Sequence, residues 1–290
     1  SIIIFLSPYF RSSAVWLTGE NLALLFFLLS INSFINLEFQ IKKLLPNVLI
    51  CFFFLILASY IRHYYAIFFF YYFFNIAVRL TFFENFLVIF FNFILSIPAI
   101  LYFLYFIENG SLNQSFHYVG SDFIFNILVF TSLFLFYFIP FIFNSYAIDH
   151  FKKNLFIKKK FILLSIFLCL LIYVFYNIPV TSLGGGVLYK ISEIFYSKLF
   201  YIFGFLGILF LVIFNENNLK NNLIYLILII MFPLDIIYQK YYDPLIYILI
   251  FTLIDSRFVK ELIKNNNFKI LIVLGYYLIF LIENNFYYYN

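Results

Sequence analysis

The chain has 290 residues, of which 66% are hydrophobic, 26% aromatic and 11% charged, with a formal net charge of +5 and a mean hydropathy of +1.04. Soluble domains carry about 45–50% apolar and about 25% charged residues, so this balance excludes an ordinary water-soluble globule. It predicts an all-α, polytopic transmembrane helical bundle, one domain over residues 1–290 with no soluble domain.

Polar interruptions divide the chain into about ten apolar segments, near 21–37, 46–61, 64–79, 86–106, 123–144, 161–176, 199–214, 223–234, 244–255 and 268–283. Several fall short of the roughly 20 residues that a perpendicular helix needs, so their ends are expected to run into the aromatic flanks. The chain begins with Ser1, and its first residues are already apolar. With no charged n-region or small-residue cleavage site, it carries no signal peptide pattern, and the native start is expected upstream. Cys51 and Cys169 both lie inside apolar segments, which argues against a disulfide framework, a zinc site or a thiol nucleophile. The 48 Phe and 26 Tyr look like codon bias in an AT-rich genome, so single aromatic residues carry little functional weight. Gly and Ala are scarce, and no small-residue helix-packing motif is visible.

If the segments alternate across a membrane, Lys42, Lys43, Arg79, the five lysines of 152–160, Lys220, Arg257, Lys260, Lys264 and Lys269 share one face. Only Arg11, Arg62, Lys190, Lys198 and Lys240 lie on the other. The positive-inside rule makes the richer face cytoplasmic. The run "HFKKNLFIKKK" at 150–160 reads as a topogenic loop on an anionic leaflet, with no nucleic acid as partner.

The five opposing cations cannot be orientation signals. Four lie beside other polar groups, and the stretches in chain order are "FLSPYFRSSAVWLTGENLALL" (5–25), "SYIRHYY" (59–65), "NIPVTSLGGGVLYKISEIFYSK" (177–198) and "FPLDIIYQKYYDPL" (232–245). A shared extracytoplasmic pocket of cations, hydroxyls and a few carboxylates would suit a phosphate-bearing, lipid-linked substrate. Each stretch also has a plainer reading. Arg11 and Glu20 can pair as a helix cap, and Arg62 and Tyr64 can anchor at the interface. Gly184–Gly186 can form an anion nest or a flexible connection. Asp235 and Asp243 flank an aromatic belt in which Pro244 starts a helix. The segment 107–123 holds two sequons, at Asn109 and Asn113, with His117 and Asp122 as solvated loop residues.

Pro8, Arg11 and Glu20 together resemble the second extracytoplasmic loop of the GT-C superfamily, membrane glycosyltransferases that use polyprenyl- or dolichyl-phosphate sugars. "SYIRHYY" resembles a later Arg-containing turn, with His63 where the family has Gln or another polar residue. "YQKYYDP" looks like a late (Q/E)-x-R-Y element with Lys240 replacing Arg. The resemblance implies that Arg11 contacts the donor phosphate and that Glu20 holds a divalent metal ion or orients the donor. It implies a substrate-binding set of Arg11, Glu20, Arg62, His63, Lys190, Gln239, Lys240 and Tyr241, with Glu20 as the metal ligand. The family's first loop, with its catalytic acid, is not identifiable, so the general base stays unassigned. The implied partners are a lipid-linked sugar donor, a glycan, lipid or protein acceptor, and membrane lipids. The implied setting is a bacterial inner membrane, or the endoplasmic reticulum in a eukaryote. Two other classes stay open: an O-antigen-polymerase-like or EpsG-like polysaccharide polymerase, and a flippase or transporter. Against the carrier stand the absence of an internal repeat and the near absence of intramembrane charge.

Overall fold

The computed structural model describes residues 2–15, 19–39, 44–108, 123–142, 145–179, 184–216, 218–232, 237–257, 259–260 and 267–289. Lys42, Lys43, Lys264, Asp235, the two sequons, His117 and Asp122 lie outside these residues. Among the described residues every regular element is helical. Four helices are long and apolar enough to cross a membrane, at Gly19–Leu37, Leu44–Ile61, Phe82–Tyr105 and Phe123–Ile142.

Two compact units divide the chain, one of residues 1–12 with 120–290 and one of residues 13–119; the division falls inside α1 (Pro8–Val15). The second unit is built on a hairpin of α2 (Gly19–Phe39) and α3 (Leu44–Ile61). In its middle the Ser30 hydroxyl donates to the Cys51 carbonyl at 2.8 Å, and the Cys51 thiol donates back to the Ser30 carbonyl at 3.4 Å. Polar hydrogens thus find acceptors where water is excluded. The apolar segment 64–79 is not one helix. It breaks into a 3-10 turn (His63–Ile67), α4 (Phe68–Ile76) and a second 3-10 turn (Ala77–Arg79). Its aromatic residues fold onto the hairpin, with Phe27 against Tyr65 and Phe68, and Phe34 against Tyr72. α5 (Phe82–Glu108) opens on a capping box. The Thr81 amide donates to the Glu84 carboxylate while the Glu84 amide donates to the Thr81 hydroxyl, which satisfies two helix-end N–H groups reciprocally. Phe82, Phe83, Phe86, Phe90, Phe93, Leu101 and Tyr102 of this helix are exposed, an apolar surface that water would not tolerate and a bilayer would.

At the centre of the first unit runs α6 (Phe123–Ile142), buried along most of its length. α7 (Ser145–Ile157) and α8 (Lys159–Phe175) follow it, then α9 (Gly186–Phe195), α10 (Leu199–Phe214), α11 (Leu219–Ile230), the short α12 (Gln239–Tyr242), α13 (Leu245–Phe251) and α14 (Asn267–Tyr289). α10 lies directly on α6 because Gly204 and Gly207 have no side chains. A Cβ on Gly207 would sit 2.2 Å from the Thr131 carbonyl oxygen, and the Thr131 hydroxyl donates to the Gly204 carbonyl at 3.1 Å. A small-residue contact therefore exists in a chain where the sequence showed no such motif.

The lysine run also proves less uniform than its sequence. Lys158 is buried and donates to the carbonyls of Val212, Ile213 and Asn215, closing the C-terminus of α10. Asn154 adds a bond to the Ile213 carbonyl. Cations suit the negative end of a helix, and these bonds satisfy carbonyls that have no partner within it. Burial holds the Lys158 ammonium below the ordinary lysine range, with Glu216 pulling the other way.

Candidate functional site

Two polar clusters stand out, one in each unit. In the second unit, α3 ends at Ile61, and Arg62 takes an extended conformation (φ −138°, ψ 101°) before the 3-10 turn begins. That break turns the guanidinium toward the first turn of α2, where its Nη2 donates to Glu20 Oε1 at 3.0 Å. The other carboxylate oxygen accepts the Ser13 hydroxyl at 2.8 Å. A carboxylate in a helix's first turn also faces the positive end of its dipole. Glu20 and Arg62, 42 positions apart, are thus brought together. Arg62 has a further inward feature: its Nε–H is buried and meets no acceptor among the described residues. His63, the next residue, is exposed and lies edge-on to Tyr64.

Glu20 does not fit a divalent metal as arranged. One oxygen is committed to a guanidinium and the other to a hydroxyl, so a cation there would have to displace Arg62 or lie beside it. Among the described residues no group of three or more His, Cys, Asp or Glu gathers anywhere.

In the first unit the glycine run and the tyrosine-rich stretch meet. Gly184, Gly185 and Gly186 all take positive φ, near +80°, which side-chain-bearing residues rarely adopt. This bend starts α9 against α12 and α6: a Cβ on Gly186 would lie 2.7 Å from Leu133 and 3.4 Å from Gln239 Oε1. The Gly185 amide donates to the Ile237 carbonyl at 2.8 Å, and the Val187 amide donates to Gln239 Oε1 at 2.9 Å. Neither amide is left over for an anion nest. Gln239 is buried, and its amide nitrogen donates to the Tyr137 hydroxyl at 2.8 Å. Both polar ends of Gln239 are thereby committed to the protein.

Beside this chain of bonds lies Asp243, fully buried, at the junction of α12 and α13. Its Oδ2 accepts the Ser7 hydroxyl at 2.5 Å across 236 positions of sequence. Oδ1 has no partner among the described residues, and the buried hydroxyl of Tyr247 has none either. Tyr137, Tyr247 and Tyr277 pack ring against ring around it, and the Tyr277 hydroxyl donates to the Tyr137 carbonyl at 2.5 Å.

The other expected site residues lie around the first unit's exterior or its margins. Arg11 is exposed on α1. Lys190 pairs with Glu193 at 3.0 Å and lies 5.6 Å from the Tyr189 ring centroid. Lys240 is exposed and lies over the rings of Tyr238 and Tyr241, while Tyr241 stacks on Phe232. The residues that sequence reasoning left out of the site are Ser7, Ser13, Tyr137, Tyr247 and Asp243. The only sequence sign was an aspartate in an apolar, tyrosine-rich stretch, one of the two that flank it. Comparison with protein-family models, with curated proteins and with solved structures gives no match.

Proposed function

We propose that this chain is an integral, multi-pass membrane glycosyltransferase of GT-C type, moving a sugar from a polyprenyl- or dolichyl-phosphate donor to a glycan, lipid or protein acceptor at the extracytoplasmic face. The observation that carries the reading is the Glu20–Arg62 pair. Glu20 holds one edge of the guanidinium while the buried Nε–H lacks an acceptor. A phosphate oxygen is the acceptor that such a donor suits, with charge-assisted geometry that a neutral group would not reproduce. In the reaction the lipid phosphate departs with growing negative charge, and a preoriented arginine stabilises that charge more than it stabilises the bound donor. His63, the next residue, is exposed and serves as a second donor in this reading. Glu20 acts as the anchor of Arg62 in this reading, and no step runs through a metal.

The test is transfer of labelled sugar from polyprenyl phosphate in membranes carrying the chain together with any upstream segment. Arg62→Ala removes a contact to a charged group, and transfer falls by about one to two powers of ten. Arg62→Lys restores only part, because the planar fork is lost. Unchanged transfer in both Arg62→Ala and Glu20→Gln would reduce the pair to a helix cap and end the reading. A second reading, a carrier or flippase of lipid-linked sugars, is favoured by one observation: a fully buried carboxyl, Asp243, of the kind proton-coupled carriers need. It requires movement of the labelled lipid across the bilayer with no transfer at all.

A further inference from the structure

The transferase reading makes no use of Asp243, a buried carboxyl that packing alone does not account for. A carboxylate withdrawn from water is costly unless a cation or several hydrogen bonds compensate it. Asp243 is fully buried and forms no ion pair among the described residues. The groups that face it are hydroxyls and amides: Ser7 and the Tyr9 backbone from the N-terminal segment, Tyr137 from α6, and Tyr247 and Tyr277 from α13 and α14. None of these is charged at neutral pH.

The hydrogen bonds around it have a definite direction. Gln239 Oε1 accepts the Val187 amide, so the amide nitrogen must be the end that faces Tyr137. The Tyr137 oxygen therefore accepts, and its own proton is free to point elsewhere; Asp243 is the group it bears on. Ser7 gives its proton to Oδ2. Oδ1 is then the atom with nothing to hold, and Tyr247, within electrostatic reach, has a hydroxyl with nothing to hold either.

We propose that Asp243 is a proton-binding site of the folded protein, taking up and releasing one proton at Oδ1, the carboxylate oxygen that no described group holds. In the acid form a new O–H bond forms at Oδ1, and the carboxyl is neutral among its buried hydroxyl neighbours. In the carboxylate form that proton has returned to water, and the Ser7 hydroxyl donates to Oδ2. Gln239 is the positioning residue, since it directs the Tyr137 proton toward the carboxyl. Burial pushes this carboxyl from its ordinary 3.8 up to about 7, while the Ser7 and Tyr137 hydroxyls and the Tyr9 amide pull it back down. The exchange therefore falls in the neutral range. The site is independent of any sugar donor, so it stands or falls separately from the transferase reading.

The experiment is infrared difference spectroscopy on the whole chain in lipid nanodiscs, with isotope-labelled aspartate, stepped from about pH 5 to about pH 9. One protonated aspartyl carbonyl band titrates near neutrality, and Asp243→Asn removes it. Ser7→Ala, which leaves the carboxyl in place, takes away a donor to the charged form and moves the midpoint up by about one pH unit. Three results would overturn the proposal: no band that Asp243→Asn removes, a midpoint that Ser7→Ala leaves where it was, or a midpoint that follows sodium concentration, which would make Oδ1 and Tyr247 a cation site.

Discussion

Glu20 and Asp243 are both carboxylates held at helix ends by a serine hydroxyl, and their surroundings differ in burial and in the partner that faces them. Glu20 is partly exposed and has an arginine at 3.0 Å. Asp243 is fully buried, with tyrosines where the arginine would be. In the first, a guanidinium and a serine hydroxyl each take one carboxylate oxygen. The second must shed charge with pH, because a hydroxyl can stabilise either protonation state but cannot cancel a charge. Two carboxylates with similar hydrogen-bond partners thus become an anchor in one unit and a titrating group in the other.

The largest effect expected from this contrast is on stability against pH. Asp243 has a folded-state value, about 7, above its ordinary 3.8, so between those limits the folded protein binds more protons than the unfolded chain. Stability then declines as pH rises from about 4 to about 7 and levels off beyond, by about 4 kcal/mol in all. Thermal unfolding of the purified chain across that range should show the decline, and Asp243→Asn should flatten it. If the two profiles run parallel, Asp243 behaves like Glu20 and the contrast is gone.

Next comes Gln239→Leu, which leaves the Val187 amide and the Tyr137 hydroxyl without their partner. Such orphaned groups cost about 1–3 kcal/mol, read as a lower melting temperature, and the Asp243 carboxyl should titrate higher once the Tyr137 proton is no longer directed at it. For Glu20→Gln the loss of stability should stay below about 1 kcal/mol, since a partly exposed pair is worth little in water. The same substitution should still lower sugar transfer, because Arg62 loses its anchor. A large stability loss with transfer intact would reverse the two roles. The smallest effect belongs to Lys190→Ala: a half-exposed i,i+3 pair with Glu193 is worth about 0.3–0.5 kcal/mol, and a larger change would mean that Lys190 does more than pair within its own helix.

The ten apolar stretches each hold helix in the structure, since a long run of apolar residues can satisfy its backbone without water only by coiling. Four of them are long and apolar enough to cross a membrane. Helices at Pro8–Val15, Ser145–Ile157 and Gly186–Phe195 escaped the hydropathy reading because polar residues interrupt them, as they do on any helix with one wet face. The stretch 244–255 holds only a seven-residue helix, Leu245–Phe251, which no count of apolar residues foretells.

Composition determined that the chain is helical and apolar, and local spacing determined where most helices lie, because both follow from near-neighbour physics. The capping box at Thr81 and Glu84 could be read the same way, from four consecutive residues. What only the tertiary structure decided is the environment of each polar group. Arg62 meets Glu20 because α3 breaks at Ile61, and Lys158 is drawn out of a solvated run by the bare carbonyls of α10. Asp243, one of two aspartates beside an aromatic stretch, becomes a buried acid because Ser7 and Tyr137 close over it from distant parts of the chain, with Tyr247 from the helix that follows it. A side chain's charge depends on what surrounds it in space, and residues hundreds of positions apart supply those surroundings.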